Sequence, residues 1–304
     1  MNKPFSLLRW IGEKSDKPAA DARAASRERE AVFAPMPQAV SRHASDQQRA
    51  VIRAACDLAD DTPADEALLA AIDAEVHARR AATATLAGPD SPRATDLRVR
   101  RHGLPDWWEE RGNLFLCAPD VRDVRFHLAM MHQPPQNQIV VAGLGCLMPE
   151  LHFAGTLGLT ILGDHVVLVS SALTLGQDCT VLIGQNTTAT WMCGSDVRNG
   201  GIFLAGEDNM WAAGVTFYTD DTHAIRDAKT GARINRRGGR IVIERHVWIG
   251  DSARVMGDSY IAHDAVIGMG SVVKNRRLPA NAVSIGRPAE PVRHGVTWTR
   301  DDGV

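Results

Sequence analysis

His223 lies in the stretch FYTDDTHAIRD (Phe217–Asp227), with Asp220, Asp221 and Asp227 beside it in sequence. An imidazole of ordinary pKa changes charge near neutral pH and suits the work of taking a proton from a hydroxyl. A neighbouring carboxylate can hold such a ring in one tautomer and stabilise the imidazolium, and Asp221 or Asp220 is placed to do so. Acyl transfer from a thioester to a hydroxyl needs two more things. The tetrahedral oxyanion needs hydrogen-bond donors, and the two substrates must be held in line. Taken alone, His223 is a polar loop residue. The chain around it gives it weight.

Downstream, the chain counts in sixes. Ile243, Ile249, Val255, Ile261, Ile267 and Val273 are apolar and β-branched at one constant step, a residue type that favours strands. Two positions earlier stand Ile241, Val247, Ala253, Ser259, Ala265 and Ser271, mostly small. The same step upstream meets Val169, Leu175 and Val181, then Thr187 and Cys193. A period of six fits neither a helix nor a simple alternating strand. It predicts a β-helix in which each hexad is a short strand plus a turn and three hexads make a triangular coil. The aliphatic residue points inward, the small one lets the chain turn a corner, and coils must stack to bury their interior. The rhythm fails over 218–238, read as a loop that leaves the coils carrying His223.

The segment IVIERHVWIGDSARVMGDSYIAHDAVIGMGSVV (Ile241–Val273) resembles the C-terminal coils of hexapeptide-repeat acyltransferases. TDDTHAIRDAKTGARIN (Thr219–Asn235) resembles the active-site loop of the polysaccharide and O-antigen O-acetyltransferases, with Asp221, His223, Asp227, Thr230–Gly231 and Ile234–Asn235 at the matching places. NAVSIGRPAEPVRHGVTW (Asn281–Trp298) is similar to the family's Gly-x-Pro-Ala closing segment. The resemblance runs from about Asn137 onward. It implies a mainly β fold, a left-handed parallel β-helix of hexapeptide repeats, against the usual right-handed crossover. It also implies a homotrimer, acetyl-CoA as co-substrate in the groove between adjacent β-helices, and His223 as general base. The acceptor it implies is a sugar hydroxyl in capsule- or O-antigen-type polysaccharide synthesis.

Carried onto this chain, the resemblance makes His223, Asp221 and Asp220 the catalytic group. Trp248, Gly250, Ser252, Gly268, Gly270, Ser271, Lys274 and Arg287 are expected to hold the donor, and Asp227, Asn235 and Trp211 the acceptor. Glycines in IGMGSVV would let a pantetheine chain approach the backbone. Lys274, Arg276, Arg277, Arg287 and Arg293 are candidates for the coenzyme phosphates. Two positions depart from the pattern. Asp251 stands where some relatives carry serine, and an ionised carboxylate donates no hydrogen bond, so a backbone N–H near Gly250–Ser252 is the expected oxyanion donor. Glu290 stands where many relatives have lysine.

The rest of the chain is organised around this domain. Residues 1–45 have few large apolar groups and read as a mobile N-terminal segment, with Phe5, Leu8 and Ile11 able to give a weak contact to a membrane or a partner. A helical region follows over 46–88. Val51, Ile52, Ala55 and Cys56 share one face. A second helix has Thr62 as cap and Pro63 in the first turn, and Leu68, Leu69, Ile72 and Val76 form its stripe. Residues 89–136 read as a linker and β-helix cap containing Trp107 and Trp108, 137–285 as the β-helix domain, and 286–304 as a C-terminal tail. A net charge of -2 gives no basis for nucleic-acid binding. Five cysteines without a CxxC pair read as buried thiols in a reducing cytoplasm. No stretch is long and apolar enough for a membrane span, the N-terminus makes a poor signal peptide, and no metal is expected.

Three other readings stay open. A serine-acetyltransferase-like enzyme also places helices before such a β-helix. A non-catalytic scaffold would keep the β-helix for assembly. A trimeric zinc enzyme of the carbonic-anhydrase type would need converging histidines from among His152, His165, His246 and His263. His246 and His263 are 17 positions apart, so they fall at different phases of the coil.

Overall fold

The computed structural model describes residues 97–129, 135–235 and 237–301, together with Glu66, Ala67, Ala70 and Ala74. Those four positions are helical and exposed. The rest of the expected 46–88 region, and all of 1–45, lie outside the described residues, so an α-helical N-terminal region is not established.

The described chain is a parallel β-helix with three faces. Face one stacks Leu114–Cys117, Ile139–Ala142, Leu159–Leu162, Thr180–Ile183, Ile202–Ala205, Arg240–Ile243, Ser259–Ile261 and Arg277–Leu278. Face two runs from Val167–Leu168 to Ala282–Gly286, and face three from Arg125–Leu128 to Val272–Lys274. All of these strands pair in parallel, each with its equivalents one coil above and below. The coils begin upstream of Asn137: Leu114 already pairs with Ile139 and Arg125 with Glu150. Residues in the expected linker therefore build the first turn. The N-terminal strand Arg98–Val99 and the C-terminal strand Ala289–His294 each pair antiparallel at an end of the stack.

The six-residue rhythm holds only in the last coils, where Arg254 pairs with Val272, 18 positions on. Upstream, Ala172, Gly194 and Thr216 stack 22 positions apart. The hexad count therefore slips there: Val169 sits in a turn and is only half-buried.

Corners are turned by left-handed residues rather than by the small ones. Between faces one and two, Gly145, His165, Asn186, Asp208, His246, Asp264 and Asn281 all have φ between 52° and 67°. Gly, Asn, Asp and His tolerate that region best. The small residues come one step later at corners, as in Val247, Ala253, Ala265 and Ser271, and are buried. There they leave room for the stacked coils. His165 and His246 are thus corner residues, and His263 falls at another phase, level with Arg245.

The interior of the last coils is aliphatic: Ile243, Ile249, Val255, Ile261, Ile267 and Val273 are fully buried. One coil is filled instead by aromatics, Phe203, Trp211 and Phe217, one from each face, with ring centroids 4.6–5.9 Å apart. Trp108, Phe115, Phe126 and Phe153 close the N-terminal end, with Trp108 4.7 Å from Phe126. Cys117, Cys146, Cys179 and Cys193 are buried. Burial pushes Cys146 up to about 12 and Cys193 up to about 11, so neither is a ready thiolate.

Candidate active site

The loop that carries His223 leaves the stack after Thr216–Tyr218 on face three and rejoins it at Arg240–Ile243 on face one. The coil from Thr216 to its partner Arg254 is more than twice as long as the next one, from Arg254 to Val272. Its two ends are sewn together by Asp220. One carboxylate oxygen accepts from the Thr222 N–H at 2.7 Å. The other accepts from Asn199 Nδ2 at 2.7 Å and the Gly238 N–H at 3.2 Å. At the re-entry point a Cβ on Gly239 would lie 2.2 Å from the Thr219 carbonyl oxygen, and one on Gly238 2.0 Å from that of Asn199. Only glycine fits this closure.

Within the loop, Asn235 is the central cross-link. Its Oδ1 accepts from the Ile225 N–H at 2.7 Å, and its Nδ2 donates to the His223 carbonyl at 2.8 Å and to Asp221 at 3.4 Å. The other Asp221 oxygen takes Lys274 Nζ at 3.1 Å. Lys274, with Asn235 adding to it, holds the Asp221 carboxyl below its ordinary value. At the tip, Asp227 Oδ1 accepts from the Lys229 and Thr230 N–H groups and the Thr230 hydroxyl at 2.8–3.0 Å. These bonds lower its pKa. Asp227, through Oδ1, and Asn235, through both amide atoms, expected at the acceptor, thus shape the loop.

His223 is exposed, and its ring meets neither Asp220 nor Asp221. Its Nδ1 lies 3.0 Å from the Thr222 hydroxyl, and that hydroxyl donates to the Asp221 carbonyl at 2.7 Å. A hydroxyl has one proton to give. A Thr222 hydroxyl that gives its proton to the carbonyl accepts from Nδ1 and leaves the lone pair on Nε2. Thr222 has φ +57°, a strained conformation for a β-branched residue. Strain of this kind costs about 1–3 kcal/mol and persists where the surroundings enforce it. The sequence reading missed Thr222. A β-branched residue immediately before the histidine was the available signal, but its positive φ is not visible in sequence.

The expected donor residues form a second group at the corner between faces two and three. The Gly270 N–H donates to the Asp251 carbonyl at 2.7 Å, Arg287 Nε to the Gly270 carbonyl at 2.7 Å, and the Gly286 N–H to Ser271 Oγ at 3.1 Å. Gly250, Ser252, Gly268, Gly270 and Arg287 thus line one column across three coils, with Trp248, 39% exposed, beside it on face two. Gly268 has a packing reason: a Cβ there would lie 2.5 Å from Ile285 Cγ2. Ser252 Oγ donates to Asp251 at 2.7 Å.

Three expected residues have these positions and partners. Ser271 is buried with its hydroxyl oxygen taken by Gly286, so it supports the corner from inside. Trp211, expected at the acceptor, is 1% exposed in the aromatic coil; register with Ile249 puts it on the inward position. Lys274 pairs with Asp221 of the His223 loop. Of the other expected phosphate contacts, Arg276 is paired with Glu290 at 2.6 Å and Arg277 lies over the Tyr260 ring. The two groups flank face three, whose strands there are three residues long, about 10 Å at 3.3 Å per residue.

No protein-family model and no curated protein matches the chain. Solved structures with the same fold do. The polysialic-acid-specific acetyltransferase NeuO is 22% identical with a TM-score of 0.57, over 64% of this chain and 81% of its own. The polysialic acid O-acetyltransferase OatWY is 23% identical with a TM-score of 0.54, over 62% of this chain and 88% of its own.

Proposed function

We propose that the protein is an acyl-CoA-dependent O-acyltransferase that moves an acetyl group to a sugar hydroxyl, with His223 Nε2 as general base. The observation that carries this is a contact: the Thr222 hydroxyl, itself bonded to the Asp221 carbonyl, lies 3.0 Å from Nδ1 of an exposed histidine, on a loop built to hold it. The fold shared with two solved acetyltransferases supports the reaction class. The acceptor hydroxyl attacks the thioester carbonyl as Nε2 takes its proton. A C–O bond forms, the tetrahedral oxyanion collapses, the C–S bond breaks, and the imidazolium returns the proton to the departing thiolate. Backbone N–H groups near Gly250–Ser252 are the candidates for the oxyanion.

A single chain holds the base and the donor column on opposite edges of face three, so this reading takes a second copy to supply one of them, as a homotrimer would. The acceptor is a hydroxyl of a surface-polysaccharide sugar, and the site is the cytoplasmic type that draws on acetyl-CoA. Of the histidines the zinc reading needs, His246 has both ring nitrogens engaged, by Asp208 and by the Trp298 carbonyl.

Titration calorimetry with acetyl-CoA, followed by an acceptor screen comparing wild type with His223→Ala, tests this. The reading expects saturable donor binding by both proteins and transfer by wild type alone. A folded protein that ignores millimolar-range donor, or a variant that keeps most of its activity, overturns it.

A further inference from the structure

After Ala289–His294 the chain turns and runs back along the corner between faces one and two, crossing one coil after another. The Val296 N–H donates to the Asn281 carbonyl at 3.0 Å, and Thr297 Oγ1 to Asp264 at 3.3 Å. Trp298 reaches His246, its indole N–H donating to the His246 carbonyl at 2.9 Å. Arg300 donates to Asp208 and Thr188 at 2.9 Å, and to the Asn186 and Asn209 carbonyls at 3.0–3.1 Å. This strap supplies a wall of a groove of about 630 Å³ lined by His165, Asn186, Thr188, Glu207, Asp208 and Arg300.

The chemistry of the strap centres on His246. Trp298 stacks flat on the imidazole, centroids 4.2 Å apart and planes 7° from parallel. Nδ1 lies 2.7 Å from the Asp208 carboxylate, and Nε2 lies 2.9 Å from the Trp298 carbonyl oxygen. Both partners only accept. A neutral imidazole donates from one nitrogen and would set a lone pair against an oxygen at the other. Only the imidazolium satisfies both. The flat stack on an indole face also favours a cation.

We propose that protonated His246 is a latch that holds the C-terminal strap against the β-helix, and that the strap loosens as His246 loses its proton. The charged groups facing it are these. Asp208, shared with Arg300, touches the ring, and Asp264 lies 3.9 Å from Nε2. Asp264 is itself paired with His263 at 2.7 Å, and Arg245 lies near it. Partial burial pulls the imidazole pKa down, but Asp208, the Trp298 carbonyl and Asp264 outweigh it and the net shift is upward. A raised pKa means that the latch is fully present below the unfolded value of about 6.5 and is lost as pH rises through the higher folded value. At the acid end it fails only when the carboxylates protonate.

The test uses the full chain and is independent of any transferase activity. Hydrogen exchange of the peptide spanning Val296–Asp301, corrected for intrinsic rate, is followed from about pH 5.5 to about pH 8.5. Protection should fall about tenfold or more across this range in wild type, and His246→Gln should be low and flat. The ring nitrogens of ¹⁵N-histidine-labelled wild type should both be protonated wherever the strap is protected, a readout that needs no variant to fold. Protection independent of pH, an unchanged profile in His246→Gln, or a neutral His246 ring under a protected strap would each overturn the latch.

Discussion

At the residue scale the proposed base and the residue proposed to set its tautomer are separate side chains. His223→Ala should keep the fold, because the ring is exposed and spans no packed contact. It should lower transfer by about 10²–10⁴-fold, the usual worth of a general base, as initial rates beside a thermal melt will show. Thr222 acts through the ring rather than on substrate. Thr222→Val removes the acceptor of the Nδ1 proton and should cost about tenfold in kcat, whereas Thr222→Ser should restore most of it. A tenfold loss corresponds to about 1.4 kcal/mol, the scale of one hydrogen bond. Equal losses in both variants would mean that the hydroxyl does not set the tautomer.

At the scale of the element, the loop depends on its closure and its anchors. Gly239→Ala puts a Cβ against the Thr219 carbonyl oxygen, and both activity and loop protection in hydrogen exchange should drop together. Asp221 adds a pH dependence with a definite sign. Its pKa is lowered by Lys274, so the anchor is present above the ordinary carboxylate value, near 3.9, and is lost as pH falls through the lower folded value. The pair is partly exposed, so Lys274→Met should change global stability little, within about 1 kcal/mol, while loosening the loop. The aromatic coil behaves oppositely. Trp211→Ala opens a hole between Phe203 and Phe217 and should cost about 3–5 kcal/mol. Trp211→Phe should cost much less, because the buried indole N–H has no partner to lose. Chemical denaturation separates these outcomes, and a specific loss of acceptor binding in Trp211→Phe would restore the role first expected for it.

At the scale of the whole molecule, the stack is rigid by construction and each site borrows from several coils. The proposed base and donor column sit on opposite edges of face three, which makes assembly part of the proposed mechanism. Chains carrying His223→Ala mixed with chains carrying Trp248→Glu, unfolded and refolded together, should regain activity at about a quarter of sites by random pairing in a closed ring. No recovery, with mixed oligomers verified, would place base and donor within one chain.

The period of six in Ile243–Val273 was enough to specify a β-helix, since only inward stacking of aliphatic residues makes that spacing useful. The histidine loop was legible for the converse reason: a long insertion that breaks a packing rhythm has to be held by polar residues of its own. Upstream, the coils lengthen to 22 residues, and a one-dimensional count cannot follow a period that changes. The tertiary structure alone decided how side chains were divided between duties. Trp211 points inward because its strand is in register with Ile249, and Asn235 closes a loop whose partners are ten and more positions away. Thr222 meets the His223 ring from a backbone at positive φ, and His246 meets a tail residue 52 positions later. Spacing along a chain carries periodicity; convergence of distant segments, and the protonation states that follow from it, exists only once the coils are stacked.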